Sequence, residues 1–386
     1  MKHFDVTIIG AGLAGLQCAR LLAQRGLSVL IADRKADLTR AIHTTGIFVR
    51  RTLETFDLAP SLLGPPVRRV VLYSPRGKAQ VLESPYAEFR VGRMGRIYED
   101  FLAEAIGAGA VWMPCTAFRA AVPDRRGSLL LLDAEGSSMR VTTRFLVGAD
   151  GARSRVAAAL GLSENRDFLV GTEELLDGVP LAGPPALHCF LDPIVAPGYI
   201  GWAVHDGEQV HLGAGGRPDA FAPVPALAAI RRRAEKLFDL TNARTVERRG
   251  GKIPVGGILQ SISCPRGLLI GDAAGAVSPL TAGGLDGALR LSRFAAEILA
   301  AAVERDDAAI LALYSGAEFR ARFLSRRWMR RALSLVRSPH LAEAGCAVMR
   351  TPLFSRFAWR VFFGRGSFPE PDRAPLRRAL ALRPIS

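Results

Sequence analysis

The sequence predicts a mixed α/β fold with a parallel sheet, and three glycine-containing stretches carry that prediction. They are FDVTIIGAGLAGLQCARLLAQRG near the start of the chain, RFLVGADGARSRV in the middle and LLIGDAAGAVSPLTAGGLDG further on. Each begins as a short apolar strand, passes through a glycine-rich turn and continues into a helix pattern. Parallel strands need long crossovers, usually helical, so this order of elements favours an α/β protein.

The first stretch has the pattern of a complete strand–helix–strand unit. Residues 6–9 are apolar except for Thr7, as in a strand buried on both faces of a sheet. A helix over 13–24 follows, Gly26 suits its end, and a second strand is predicted over 28–32.

The turn between that strand and helix has the spacing of a dinucleotide site. Gly10 permits the tight turn, Gly12 admits a pyrophosphate, and Gly15 lets the helix pack closely on the strand. The helix start at Leu13 and Ala14 offers free N–H groups to phosphate, and Asp33, with Arg34 beside it, stands where a carboxylate binds ribose. The alternative is an ordinary glycine-rich turn, and these residues leave NAD and FAD both open.

The second and third stretches place an aspartate directly after a strand. Asp150 follows a strand at 145–147 and precedes a helix at 156–160; Asp272 follows a strand at 267–270 and precedes a helix over 285–302. The stretch 281–284 ends in Gly283 and Gly284, which expose backbone N–H groups and leave space for a flat ring. For Asp150, simple capping of the following helix is the competing interpretation.

Taken together, the glycine turn, GADGxxS and GDAAG…PLTxGG resemble the FAD-dependent oxidoreductases of the para-hydroxybenzoate hydroxylase superfamily. Gly275 with Pro279-Leu280-Thr281 resembles the geranylgeranyl reductase branch, whereas the aromatic hydroxylases usually carry histidine at the position of Gly275. The resemblance spans about residues 4–315 and implies FAD as the cofactor. It implies cofactor contacts at Asp150 and at Gly271, Asp272, Pro279, Gly283, Gly284 and Leu285, with Asp272 on the ribityl chain.

The sequence departs from that branch at three places. His43 stands roughly where the reductases have a cysteine, and it is either a proton donor or a polar contact to the cofactor. Arg96 is the better match to a family arginine that touches the cofactor, although Arg93 competes and a solvated arginine is the alternative. Tyr199 and Trp202 partly match a substrate-covering strand, and their alternative role is packing within a sheet.

These assignments predict a Rossmann-like FAD-binding domain, a second antiparallel-sheet substrate domain and a basic helical C-terminal region. We expect the FAD-binding domain to be discontinuous, covering 1–64, 94–165 and 258–313. The substrate domain is expected at 65–93 and 166–257, and the C-terminal region at 314–386. No internal repeat is present.

The net charge of +15 is concentrated at one end of the chain. From residue 314 onward there are 15 arginines, no lysine and four acidic residues, which gives +11 and leaves +4 for the rest. Aromatic residues interleave with these arginines, as in helices that lie on an anionic membrane surface. Packing of the apolar stripes on the FAD-binding domain is the alternative, and no sequence module indicates nucleic-acid binding.

The predicted activity is hydride transfer from FAD, reduced by NAD(P)H, to an apolar unsaturated substrate such as an isoprenoid. The alternative is an FAD-dependent monooxygenase; a third hypothesis is a partner-binding protein with a structural flavin. Five scattered cysteines without CxxC spacing predict neither disulfides nor a metal site, and no signal peptide or spanning helix is evident. A cytoplasmic protein, peripheral to the membrane or free of it, is expected, with its oligomeric state open.

Overall fold

Two large β-sheets organise the chain in the computed structural model, which describes residues 2–364 and 370–381. The described strands are β1 (His3–Ile9), β2 (Val29–Ala32), β3 (Ile47–Val49), β4 (Arg69–Tyr73), β5 (Ala79–Glu83), β6 (Phe89–Val91), β7 (Val111–Met113), β8 (Thr116–Asp124), β9 (Gly127–Ala134), β10 (Ser137–Gly148), β11 (Phe168–Asp177), β12 (Ala186–Phe190), β13 (Gly201–His205), β14 (Val210–Gly216), β15 (Arg244–Pro254), β16 (Ser263–Cys264) and β17 (Gly267–Leu269). The described α-helices are α1 (Leu13–Ala23), α2 (Arg50–Thr55), α3 (Met94–Gly107), α4 (Arg155–Leu160), α5 (Pro223–Ala234), α6 (Leu285–Glu304), α7 (Ala317–Leu335), α8 (Pro339–Met349), α9 (Pro352–Phe363) and α10 (Ala374–Ala381). The predicted fold class is confirmed.

The three predicted glycine turns follow strands of the first sheet and lie together at one end of those strands. Its strand order is β16-β17-β10-β1-β2-β7, and β17, β10, β1, β2 and β7 run parallel. Because the three turns follow β1, β10 and β17, they meet at the carboxyl end of adjacent parallel strands, where α/β proteins bind ligands. Helices α1, α3 and α6 pack together on this sheet, and their apolar residues form the main core.

Strand β10 is longer than the predicted segment at 145–147. Its first half pairs antiparallel with β9, and its second half pairs parallel with β1 and β17. The antiparallel hairpin of β8 and β9 therefore extends the first sheet beyond its parallel part.

The second sheet is mixed, and the prediction of an antiparallel sheet is wrong at one pair. Its order is β15-β11-β14-β13-β12-β4-β5, and β4 runs parallel to β12. More than a hundred residues, including α3 and the whole of β10, separate these two strands, which is ample for the crossover that a parallel pair requires. Prediction missed β15 because the sequence RTVERRGGKIP lacks apolar alternation; it is a largely exposed edge strand held by β11.

Helix α5 has a proline in its first turn. Pro223 stands at the start of this helix, where a missing N–H group costs nothing. Leu227 and Ile230 are buried beneath the second sheet, so α5 forms part of its core.

The basic C-terminal region is helical where it is described, and residues 365–369 and 382–386 lie outside the described residues. Phe319 and Phe323 of α7 are buried in the main core. The segment 370–381 is tied to α6, since Arg373 Nε donates to Glu297 Oε2 at 2.7 Å. Among the described residues, no helix is both long and apolar enough to cross a bilayer. The predicted domain bounds stay a prediction.

Candidate active site

The turn after β1 joins the ends of three strands. Gly10 has a φ of +107°, and a Cβ atom there would lie 2.2 Å from the Ala149 carbonyl oxygen at the end of β10. Only glycine fits such a contact in that conformation. The backbone N–H of Ala11 donates to Asp33 Oδ2 at 2.7 Å, which ties the turn to the residue after β2.

Gly12 differs from its neighbours, because its open side faces space rather than protein. A Cβ atom at Gly12 would meet nothing within 4 Å, whereas one at Gly15 would lie 2.0 Å from the Gly10 carbonyl oxygen. Helix α1 starts here with no capping side chain and no acidic residue in its first turn. Its unsatisfied N–H groups and the open space beside Gly12 therefore suit a phosphate.

Asp150 caps α4. Its Oδ1 accepts from Ser154 Oγ at 2.6 Å, and its Oδ2 accepts from the Arg155 backbone N–H at 2.7 Å. Burial raises the pKa of this carboxyl despite those bonds. Asp150 also lines the cavity described below. Its hydrogen bonds fit the capping interpretation, and its position fits the cofactor interpretation.

Asp272 is the acidic group at the site that lacks a partner. It lies in the turn after β17, and no described residue donates a hydrogen bond or forms an ion pair to its carboxylate. Burial raises its pKa to about 6. The side chain is partly exposed and lines the cavity described below, so its carboxylate is open to a ligand that brings hydroxyl groups.

The backbone around position 275 requires a glycine there. It has a φ of +71°, and a Cβ atom would lie 2.3 Å from the Gly257 carbonyl oxygen. The histidine that the aromatic hydroxylases carry here would not fit without a rearrangement of both turns.

Gly275→Ala is accordingly expected to destabilise the protein by about 3 kcal/mol or more, the sum of left-handed strain and a backbone clash. Gly161→Ala is the matched control, because Gly161 has a φ of +67° but nothing within 4 Å of its Cβ position. The control should lose only about 1 kcal/mol in urea unfolding. Equal losses in the two variants would show that the contact with Gly257 is not restrictive.

These turns open into one cavity of about 1520 Å³. Most predicted site residues line it: Gly10, Gly12, Leu13, Ala14, Asp33, Arg34, His43, Asp150, Tyr199, Trp202, Gly271, Asp272, Gly283, Gly284 and Leu285. Gly15 does not line it, in keeping with the packing role predicted for that glycine.

Two predicted cofactor contacts do not line the cavity. Arg96 is exposed on α3, because Ile97 and Phe101 occupy the buried face of that helix. Its competitor Arg93 forms an ion pair with Glu208 and also lies outside the cavity lining. Pro279 is buried beside Gly257 rather than facing the cavity.

His43 lines the cavity, but its ring is held in the neutral form. Burial lowers its pKa first, and the nearby charge of Lys35 lowers it further, against a hydrogen bond to the Gly250 backbone. A neutral imidazole at pH 7 is a weak proton donor, so the polar-contact interpretation fits this histidine better.

Tyr199 and Trp202 connect the second sheet to the glycine turn before α6. The Tyr199 hydroxyl donates to the Thr281 carbonyl oxygen at 2.6 Å, and the two rings meet edge to face with centroids 6.5 Å apart. Trp202 Nε1 donates to Glu173 Oε1 at 3.3 Å. Both aromatic residues therefore have structural bonds in addition to their place in the cavity wall.

Sequence reasoning missed several polar residues of the cavity wall, among them Tyr98, Glu173 and Arg249. Tyr98 lies in α3, and burial raises the pKa of its hydroxyl well above the ordinary range. Glu173 on β11 and Arg249 on β15 form a buried ion pair of 2.7 Å. No sequence motif marks these residues. For Glu173 and Arg249, the available signal was a charged residue within a strand, but the sequence analysis did not recognise β11 or β15 as strands.

Helices α7, α8 and α9 supply the far end of the cavity, which was also not predicted. Its lining there is nearly all apolar and includes Met329, Leu333, Val336, Leu341, Met349, Phe357 and Phe362. Leu341 and Phe357 are also exposed to solvent, so the cavity opens between α8 and α9.

The near end of the cavity fits a flavin dinucleotide. The uncapped start of α1, the space beside Gly12 and the partnerless Asp272 carboxylate each lack what a pyrophosphate and a polyhydroxyl chain provide. Residues 3–60 match the family described as FAD binding domain. The protein binds FAD.

A curated relative extends the match over most of the chain. Digeranylgeranylglycerophospholipid reductase 2 of Methanopyrus kandleri is 31% identical over 317 residues, covering 79% of this chain and 79% of that protein. The chain belongs to the geranylgeranyl reductase-like family of FAD-dependent oxidoreductases. Within this family it is similar also to the reductase 1 of the same organism, at 31% identity over 79% of the chain.

Solved structures share the family's fold at low sequence identity. A geranylgeranyl bacteriochlorophyll reductase-like protein from Thermoplasma acidophilum superposes with a TM-score of 0.82 at 19% identity, covering 99% of this chain and all of that one. A flavin-dependent brominase reaches 0.70 at 17% identity and 99% of each chain. Proteins named as a reductase-like protein and as a brominase share this fold, so the fold alone does not decide the reaction.

Proposed function

We propose that the protein saturates carbon–carbon double bonds of an isoprenoid lipid, with electrons that NAD(P)H passes to FAD. The observation that carries this proposal is the cavity of about 1520 Å³, which extends from the dinucleotide turn to an apolar end among α7, α8 and α9. Such a cavity suits a long apolar chain whose double bond reaches the flavin.

In this proposal the glycine turns hold the cofactor. The start of α1 beside Gly12 would bind the pyrophosphate, Asp33 a ribose, and Asp272 the ribityl hydroxyls. The turn at Gly283 and Gly284 would lie along the flavin edge. FAD, when bound, supplies hydride-transfer chemistry; the protein positions the substrate and excludes water.

The apolar end supports the substrate class. The curated relatives are named as reductases of a digeranylgeranylglycerophospholipid, which carries long unsaturated chains. Leu333, Val336 and Phe362 offer such a chain an apolar wall without a charged group. The shape of the cavity thus favours reduction of an isoprenoid over hydroxylation of a compact aromatic ring.

The test is an anaerobic single turnover. FAD-loaded enzyme is reduced with NADPH or NADH, mixed with a geranylgeranylated glycerophospholipid in detergent, and the lipid is analysed by mass spectrometry. The proposal expects the flavin to be reoxidised without oxygen and the lipid to gain two hydrogens per turnover. A lipid that stays unchanged without oxygen and gains an oxygen atom when air is admitted would support the monooxygenase instead. Reduction by dithionite but by neither nicotinamide would remove NAD(P)H from the proposal.

A peripheral contact with an anionic membrane surface completes the proposal. Trp328, Leu335 and Leu353 on α7 and α9 are 61%, 72% and 73% exposed, which is unusual for large apolar side chains. Exposed arginines, among them Arg331 and Arg356, flank them. The cavity opens between α8 and α9, so a lipid could pass from the membrane into the site without crossing water.

We expect the Trp328→Gln/Leu353→Gln double variant to bind anionic vesicles about tenfold more weakly than the wild type, through loss of inserted apolar surface. Co-sedimentation with phosphatidylglycerol vesicles measures this. Ile194→Gln/Val224→Gln is the matched control, because both residues are at least as exposed but lie on other elements. If the two double variants bind alike, the C-terminal helices are not the membrane-contacting surface.

A further inference from the structure

A chain of buried charged side chains connects the surface of the second sheet to the cavity. It begins at Asp206 in the β13–β14 hairpin, whose Oδ2 lies 2.9 Å from His211 Nε2. His211 Nδ1 lies 3.4 Å from Glu173 Oε1. Glu173 lines the cavity, whereas Asp206 is partly exposed at the hairpin, so the chain joins solvent to the site.

Glu173 is bound from several sides at the cavity wall. Its Oε1 accepts from Thr45 Oγ1 at 2.7 Å and from Trp202 Nε1 at 3.3 Å, and its Oε2 accepts from Arg249 Nε at 2.7 Å. Thr45 and Trp202 also line the cavity. Burial alone would raise the pKa of Glu173, but His211, Arg249 and Thr45 lower it to about 2, so Glu173 rests as a carboxylate.

We propose that Asp206, His211 and Glu173 conduct to the cavity the proton that reduction of a carbon–carbon double bond consumes. The inference rests on the proposed function. Other acids line the cavity, but Asp33, Asp150 and Asp272 lie at the cofactor end and Asp192 is paired with Arg233. Burial raises the pKa of the Cys346 thiol, and His43 is held neutral.

The reaction balances with one hydride and one proton. One alkene carbon receives a hydride, with its two electrons, from the reduced cofactor, which is left oxidised; NAD(P)H restores it. The other carbon binds a proton with the electron pair of the broken π bond. That proton comes from the His211 Nδ1–H and passes through the Glu173 carboxylate, which carries it only during the transfer. The imidazole then regains a proton from water at the hairpin.

The charges around His211 keep a proton available to it. Burial alone would lower the pKa of His211, but Asp206 and Glu173 raise it to about 9. The groups that face its ring are Asp206 from the hairpin, Glu173 from β11 and Arg249 from β15, whose Nη2 lies 3.3 Å from Nδ1. His211 is therefore an imidazolium at neutral pH and loses its proton as pH rises through about 9.

The test separates the two halves of the reaction in stopped flow. Glu173→Gln should reduce lipid-driven reoxidation of the flavin about 100-fold, the usual contribution of a general acid, and leave its reduction by the donor unchanged. In the wild type the reoxidation rate should fall above about pH 9 and should show a solvent deuterium effect. Both features should be absent in Glu173→Gln.

Glu174→Gln is the matched control. Glu174 is the adjacent residue of β11 and equally buried, but it accepts from Thr245 and Arg248 and does not line the cavity. A second readout uses cofactor-free protein: nitrogen NMR should show a protonated His211 ring at pH 7.5 that becomes neutral in Asp206→Asn.

The outcomes distinguish the two proposals. Reoxidation of Glu173→Gln at the rate of Glu174→Gln would overturn the proton chain and leave the proposed function intact, as would a neutral His211 in the wild type. A wild type whose flavin the lipid never reoxidises would overturn the proposed function and the chain with it. A folding defect in Glu173→Gln would slow the reduction of the flavin by the donor as well as its reoxidation by the lipid. Slower reoxidation caused by a folding defect would therefore overturn the proton chain, whereas slower reoxidation with unchanged reduction supports it.

Discussion

The Gly12→Asp variant is expected to fold normally and to lose FAD. Gly12 has a φ of −79°, which any residue adopts, and its Cβ position meets nothing within 4 Å. The new carboxylate would occupy the space beside the start of α1, where we place the pyrophosphate. Like charges in contact cost several kcal/mol, so we expect at least about a 100-fold loss of affinity, or about 2.8 kcal/mol.

Titration of apoprotein with FAD, followed by flavin fluorescence, measures this loss. Gly107→Asp is the control, because Gly107 is exposed at the end of α3, has no positive φ and has equally open space around it. Both variants should keep the melting temperature of the apoprotein. Undiminished FAD binding by Gly12→Asp would mean that the cofactor's phosphates lie elsewhere.

Much of the nucleotide-binding part could be predicted from sequence because it is local. The turn at Gly10, Gly12 and Gly15 lies within six residues. Each glycine is explained by the contacts or the open space at its own position, so a short motif is enough to identify the turn. The strands around it are short and apolar on both faces, which is a clear pattern. The predicted helix at 285–302 is α6, which extends to Glu304.

The second sheet was harder to predict because its pairing is not local. Strand β15 is charged and largely exposed, so only its partner β11 identifies it as a strand. The parallel pairing of β4 with β12 depends on a crossover through the first sheet, which no local pattern reveals. Prediction therefore failed where tertiary context, rather than residue preference, decides the structure.

The same distinction explains the site. Predicted residues that belong to turns, such as Asp272 and Gly284, line the cavity. Arg96 was chosen by an approximate spacing, and the helix turns it to solvent. Glu173 and Arg249 come together only because β11 and β15 pair, and helices α7 to α9 close the cavity from the far end of the chain. Chemistry that assembles from distant strands leaves no motif.

Arg290→Met is expected to cause the largest loss of stability, about 3–5 kcal/mol, because it leaves a buried charge without its partner. Arg290 is fully buried in α6, and its Nε donates to Asp286 Oδ2 at 2.8 Å. Asp286 also accepts from Thr52 Oγ1 at 2.7 Å, and Arg290 forms an ion pair with Glu370. One guanidinium thus joins α6, α2 and the C-terminal segment, directly after the turn at Gly283 and Gly284. Urea unfolding of the apoprotein and of the FAD-bound protein measures the loss.

Arg373→Met is the control, because it removes an ion pair to α6 without leaving a fully buried charge unpaired. Arg373 pairs with Glu297 at 2.7 Å and more weakly with Glu370 at 3.7 Å, but all three side chains are partly exposed, so its loss should cost about 1 kcal/mol or less. Adding Asp286→Asn to Arg290→Met should recover part of the stability, because the second change removes the unpaired carboxylate. If Arg290→Met loses no more than Arg373→Met, water or a rearranged side chain must reach Asp286, and α6 would then begin in a wetter environment than its burial indicates. If FAD stabilises Arg290→Met less than it stabilises the wild type, the buried pair also shapes the flavin turn, because the stabilisation by a ligand that binds only the folded state rises with the logarithm of its affinity.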